Sequence, residues 1–188
     1  QTVVMAYDNV GNLLSKTYGD GSSERFSYDA KNRLTRKTDR GGATTTYAYD
    51  AIDRNTSITD ALDNRTEFTY NDRSQLSQVK DPRGNVTAYE YDANGNRTKA
   101  TYSNGLTTTW EYNVVNALTR ERITDRGGSL VGEYVYTVGS AGERLGVQES
   151  GRSGNRTVTY AYDALYRLTG ETVTENGTTS VKTYAYDA

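Results

Sequence analysis

Thr44-Thr45-Thr46-Tyr47-Ala48-Tyr49-Asp50-Ala51-Ile52-Asp53-Arg54 is the stretch that decides the fold. Tyr47 and Tyr49 stand two residues apart with a small residue between them. On an extended chain that spacing puts both rings on one face, whereas on a helix they would diverge by about 200°. The threonine run ahead of them suits a half-buried strand. Asp50 then starts a turn, since an aspartate carboxylate can bond to backbone two residues on. Asp53 falls where a short hairpin with a bulge needs a residue that tolerates positive φ.

Outward from there the pattern repeats in both directions. The doublet recurs as Tyr7-Asp8, Tyr28-Asp29, Tyr49-Asp50, Tyr70-Asn71, Tyr91-Asp92 and Tyr112-Asn113, each 21 residues after the last. It continues at Tyr136-Thr137, Tyr162-Asp163 and Tyr186-Asp187, at spacings of 24, 26 and 24. Two positions before each tyrosine sits another large side chain: Met5, Phe26, Tyr47, Phe68, Tyr89, Trp110, Tyr134, Tyr160 and Tyr184. Four positions after it come Gly11, Asn32, Asp53, Ser74, Gly95 and Asn116 in the regular repeats, mostly types suited to positive φ. Leucine follows at the sixth position in Leu13, Leu34, Leu76, Leu118 and Leu168, with Asn55 and Arg97 departing from it. A second breaker closes each unit, as in Asp39-Arg40-Gly41-Gly42 and Asp81-Pro82-Arg83-Gly84. The extra residues of the later repeats fall in polar or glycine-rich segments, Ser140 to Gly142, Ser150 to Asn155 and Glu175 to Thr179, read here as loops.

Two strands and two turns per unit predict an all-β array of tandem ~21-residue repeats over residues 1–188, one long antiparallel sheet of roughly 17 strands. At about 4.8 Å per strand it would run on the order of 80 Å, too long to stay flat, so a curved or spiralling sheet is expected. A lone hairpin is marginal in water, so stability must come from neighbouring units, with the rings forming a ladder from repeat to repeat.

Composition narrows the classes. Valine, isoleucine, leucine and phenylalanine make up only 30 of 188 residues, too few to fill a globular core, which favours a hollow structure. Without cysteine there is neither a disulfide framework nor a thiolate metal site. The 22 basic and 24 acidic residues are interspersed, leaving no footprint for nucleic acid or an anionic membrane. No apolar run approaches the ~20 residues of a membrane span, and the first residues carry no secretory signal.

Tyr28-Asp29-Ala30-Lys31-Asn32-Arg33-Leu34-Thr35, Tyr91-Asp92-Ala93-Asn94-Gly95-Asn96-Arg97-Thr98 and Tyr162-Asp163-Ala164-Leu165-Tyr166-Arg167-Leu168-Thr169 resemble the repeat of the RHS/YD-repeat family. That family includes bacterial polymorphic toxins, the C component of Tc toxins and animal teneurins. The resemblance implies a β-strip wound into a hollow shell around a C-terminal effector, often a toxin, in secreted or surface-displayed bacterial proteins. It also implies that this chain is a fragment of a larger shell. The partners it implies are the remainder of that shell and the enclosed effector. The family's self-cleaving segment has no counterpart, since the single Asp-Pro, Asp81-Pro82, lies inside a regular repeat.

The expected site residues are structural. The aromatic ladder comprises Tyr7, Phe26, Tyr28, Tyr47, Tyr49, Phe68, Tyr70, Tyr89, Tyr91, Trp110, Tyr112, Tyr134, Tyr136, Tyr160, Tyr162, Tyr184 and Tyr186. The turn set comprises Asp8, Gly11, Asp29, Asn32, Asp50, Asp53, Asp92, Gly95 and Asp163. With no histidine or cysteine, only carboxylates remain for hydrolysis, and a catalytic pair has no reason to be copied into every repeat, so no catalytic residue is assigned. Asp92-Asn94-Gly95-Asn96 lacks the glycine and glutamate positions of a calcium loop and reads as a turn; no metal or cofactor is expected. Sequons at Asn55, Asn64, Asn85, Asn96, Asn155 and Asn176 matter only where the source glycosylates secreted proteins. The alternative to a shell segment is an extracellular adhesion or carbohydrate-binding array, for which Trp110 is the first candidate. A carboxylate glycosidase is the third reading. Exposed sheet edges predict self-association.

Overall fold

The computed structural model describes residues 2–187, and the chain divides after Val86 into two compact units. The first holds β1 (Val3–Tyr7), β2 (Leu13–Tyr18), β3 (Ser23–Tyr28), β4 (Leu34–Thr38), β5 (Thr44–Tyr49), β6 (Asn55–Thr59), β7 (Arg65–Tyr70) and β8 (Leu76–Lys80). The second holds β9 (Val86–Tyr91), β10 (Arg97–Tyr102), β11 (Thr107–Tyr112), β12 (Leu118–Thr124), β13 (Leu130–Val138), β14 (Arg144–Gly151), β15 (Arg156–Tyr162), β16 (Leu168–Glu175) and β17 (Thr178–Thr183). There is no helix among the described residues. Within each unit every strand pairs antiparallel with its neighbours in sequence.

One loop geometry serves most of the turns. Around Asp50 the amide of Asp50 donates to the Arg54 carbonyl at 2.9 Å and the amide of Asp53 donates back to the Asp50 carbonyl at 3.3 Å. This is a three-residue hairpin loop, a type I turn closed by a left-handed residue. Asp53 takes that place at φ 71°, as do Asn32 at 61° and Gly11 at 93°. The second breaker of each of the six regular repeats folds the same way: Gly42, at φ 85°, donates to Asp39 at 3.1 Å.

Beyond each doublet turn the register slips by one residue. Ala48 pairs with Ser57 but Tyr49 pairs with Asn55, so Thr56 is bulged out. The same slip occurs at Tyr7, Tyr28, Tyr70, Tyr112 and Tyr162. The bulge matters because side chains alternate along a strand. It keeps the sixth-position residue on the same face as the doublet tyrosine while the rest of the returning strand stays in phase.

Burial is slight. Only Ser57, Ala100, Thr108, Gly146, Val147 and Val158 are buried among the described residues. Along β3 half-buried Glu24, Phe26 and Tyr28 alternate with exposed Arg25 and Ser27, so burial follows the aromatic face and comes from neighbouring strands rather than from an opposing layer.

Four sequence expectations shift. The added residues of the later repeats lie mainly in longer strands: β13 has 9 residues and β14 has 8. Extending a pair keeps backbone groups bonded, which a loop would not. The segment 175–179 is not a loop but the end of β16, a two-residue Asn176-Gly177 turn with φ 49° and 78°, and the start of β17, as Asn-Gly favours. In the seventh repeat the hairpin starts two residues late. Val138 pairs with Arg144 as Tyr49 pairs with Asn55, and Gly139 rather than Thr137 opens the turn. Finally, Tyr184 and Tyr186 lie beyond β17, although the Tyr184 amide still donates to Thr169 at 2.9 Å.

Candidate functional site

Register collects the aromatic residues of each unit on one face. In the first unit Phe26 opposes Lys37, Lys37 opposes Thr45, Tyr47 opposes Ile58, Ile58 opposes Thr66 and Phe68 opposes Val79, and directly paired residues project to the same side. Tyr28, Tyr49 and Tyr70 belong to that face with Leu34, Asn55 and Leu76. In the second unit the same alternation joins Tyr89, Trp110, Tyr112, Tyr134, Tyr136, Tyr160 and Tyr162. Between successive aromatic strands lies a returning strand, so ring pairs stand two strand spacings apart, about 9.6 Å. The repeats are therefore joined through what lies between the rings.

The first joint is a hydroxyl latch. Tyr28 donates to the Leu13 carbonyl at 3.1 Å, Tyr49 to Leu34 at 2.8 Å and Tyr70 to Asn55 at 2.8 Å. In the second unit Tyr112 donates to Arg97 at 2.9 Å, Tyr162 to Arg144 at 2.8 Å and Tyr186 to Leu168 at 2.7 Å. Every acceptor is the residue beside the bulge of the preceding repeat, and each lies outside the registered pairing with the strand that follows it, which begins two residues later. Bulge and hydroxyl are thus two halves of one device. The sixth position conserves a backbone role, so Asn55 and Arg97 serve as well as leucine.

The second joint runs through the turns. Asp50 Oδ1 accepts the amides of Ile52 and Arg54, both at 3.0 Å, while Oδ2 takes Arg54 Nε at 2.6 Å. The Arg54 guanidinium then lies 4.7 Å from the Tyr70 ring centre, and its Nη1 reaches Ser74 Oγ at 3.2 Å. Arg33 does the same from Asp29 to Tyr49 and Asp53, its ring distance again 4.7 Å. Arg167 bridges Asp163 and Tyr186. Where asparagine replaces arginine, Asn12 reaches Asn32 and Asn96 reaches Asn116, each at 2.8 Å. Each such cation over a ring is worth about 0.5–1 kcal/mol at an exposed site. This fifth-position residue is what the sequence reading missed; its signal was the recurring arginine or asparagine directly before the leucine column.

These bonds also fix the chemistry of the turn carboxylates. Arg33 beside Asp29 holds that carboxyl below its usual range. The Asn96 amide does the same for Asp92, and the backbone amide and side chain of Arg167 for Asp163. Desolvation pushes Asp8 and Asp50 upward, but their hydrogen bonds outweigh it and both end lowered. A carboxylate already engaged by two amides and a side chain is a poor proton shuttle. Among the described residues no three histidine, cysteine, aspartate or glutamate side chains are grouped to hold a metal ion.

The Teneurin YD-shell family model matches residues 1–86, and the RHS Repeat model matches residues 70–107 and 91–130. In fold the chain is similar to one in the crystal structure of TcdB2-TccC3, with a TM-score of 0.77 at 15% identity. That match covers 95% of this chain and 12% of the other. It is also similar to a chain of the Photorhabdus luminescens Tc holotoxin pore carrying a TccC3 variant, with a TM-score of 0.62 at 15% identity over 90% of this chain and 12% of that one. The chain thus spans 12% of the length of these two structures' chains. Among curated proteins none matches the sequence.

Proposed function

The chain belongs to the RHS/YD-repeat family, and from that premise we propose that residues 1–188 are a contiguous array of shell wall with no catalytic role, part of a larger extracellular protein that encloses a C-terminal effector. The observation that carries this is the latch: six of the repeats are each tied to the one before by Tyr28, Tyr49, Tyr70, Tyr112, Tyr162 or Tyr186, through atoms that do no chemistry. A sheet with almost no buried core and its polar atoms engaged between repeats is suited to be a wall one layer thick. The aromatic face is its inner side, because stripped of neighbours it presents Tyr, Phe and Leu while the other presents Arg25, Ser27, Thr46 and Glu67.

Residues 1–188 contain no cysteine, so a cysteine introduced among them can be followed by its own labelled peptide. In the full-length protein Thr46→Cys, on the polar face, should react with a bulky maleimide, and Lys37→Cys, on the aromatic face, should be protected until the protein is unfolded. Equal labelling of the two in the native full-length protein would exclude an enclosed aromatic side.

A further inference from the structure

Across the aromatic face, this chain's own guanidinium groups occupy ring faces. Arg33 lies over Tyr49, Arg54 over Tyr70, Arg97 over Tyr89, Arg144 over Tyr136 and Arg167 over Tyr186, at 4.2–4.8 Å from the ring centres. Trp110 and Tyr134, like Tyr28, Tyr47, Phe68, Tyr112, Tyr160 and Tyr162, have no cation of the described residues over the ring, and what sets this pair apart is the side chain between them. Between them stands an acid. Glu121 on β12 is paired directly with Trp110 on β11 and with Tyr134 on β13, so the three side chains project together. All three are half-buried.

The other carboxylates of this face differ. Glu149 pairs with Arg156 at 3.4 Å, and Glu171 opposes Lys182 on β17. Glu121 makes neither a hydrogen bond nor an ion pair with any described residue. Its charge nevertheless reaches its surroundings. Desolvation first, and the field of Glu121 next, raise the Tyr136 hydroxyl. A half-buried carboxylate without an ion-pair partner, set between two aromatic side chains, is electrostatically unfinished in the way a bound cation would complete. The backbones carrying the rings are two strand spacings apart, about 9.6 Å, which leaves room for an alkylammonium or guanidinium above the carboxylate.

We propose that Trp110, Glu121 and Tyr134 form a cleft that takes a lysine or arginine side chain from a polypeptide segment other than these repeats. The assignment rests on three adjacent strands and stands whether or not the array encloses cargo. On the shell reading its guest is a basic stretch of the enclosed chain. Charge complementarity selects this occupant over a saccharide, since a neutral sugar would leave the carboxylate uncompensated.

Trp110 is the single tryptophan, so its fluorescence reports the cleft directly. Titration of the chain with hexa-arginine or hexalysine at low ionic strength should give a saturable change in that fluorescence. Glu121→Gln, which preserves shape, should weaken the affinity about tenfold, and Tyr134→Leu should weaken it too. Glu111→Gln, which removes an equal charge from the opposite face of β11, should leave it unchanged. Binding that survives Glu121→Gln, that falls equally with Glu111→Gln, or that is matched by hexaglutamate or maltohexaose would overturn the assignment.

Discussion

Removing a single oxygen tests the joint between repeats. In Tyr49→Phe the ring stays, with Arg33 over it, and only the 2.8 Å bond to the Leu34 carbonyl is lost. A typical intramolecular hydrogen bond contributes about 1 kcal/mol net, and a part-buried carbonyl at a bulge regains some of that from water, so about 1 kcal/mol is expected. Tyr28, Tyr49 and Tyr70 stand far enough apart in successive repeats for their losses to add, so the triple Phe variant should lose about 3 kcal/mol. For a unit of this size that is a large share of the total, given roughly 0.05–0.15 kcal/mol per residue. Urea unfolding monitored by circular dichroism reads it as a fall in midpoint at constant slope. Tyr7→Phe is the control, because that hydroxyl meets only Met5 Sδ and the ring is 56% exposed. If Tyr49→Phe unfolds at the same urea concentration as Tyr7→Phe, the latch contributes nothing and the repeats are held by the strand ladder alone.

Three further outcomes follow from local strain and charge. Tyr166 is a bulky residue at φ 59°, so Tyr166→Gly should stabilise the second unit by about 1 kcal/mol, read as a higher urea midpoint; a lower one would mean the side chain earns its place by packing. Asn55→Leu should stabilise the first unit by about 1 kcal/mol in the same assay, because Asn55 Oδ1 is buried without a partner while the latch needs only its backbone carbonyl. Stability should be flat above about pH 5 and fall as pH drops below about 4, because Asp29, Asp92 and Asp163 are held below their unfolded values and their contribution is lost on protonation. Urea midpoints from pH 7 to 2.5 check the sign, and Asp29→Asn should flatten the acid limb.

The strands were legible because a period of two is a local property: Tyr47 and Tyr49 announce an extended chain without reference to anything distant. The positive-φ places were legible as residue types, since Gly11, Asn32 and Gly95 belong to the small set that adopts them without strain; Tyr166 gave no such sign. The register of the seventh repeat was not legible for a physical reason. Tyr134, Tyr136 and Val138 alternate on one face, and adding two residues to a strand preserves that alternation, so the pattern holds no mark of which pair borders the turn. The latch was hidden for a different reason: its acceptor is a main-chain carbonyl, which every residue possesses, so no side-chain column records it. Arg33 and Arg54 did leave a column, yet what they reach over lies in the next unit, and the reach appears only once the strands are set side by side.

Every latch points the same way, from a tyrosine to a carbonyl 15 or 18 residues earlier in the chain. Growth from the amino end therefore never waits on unmade polypeptide: as each hairpin emerges from a ribosome or a secretion pore, the surface it docks on is already finished. Such a chain advances like masonry laid course by course, with one growing edge at a time, and the short loops closed at each step keep the entropic cost of the next course small.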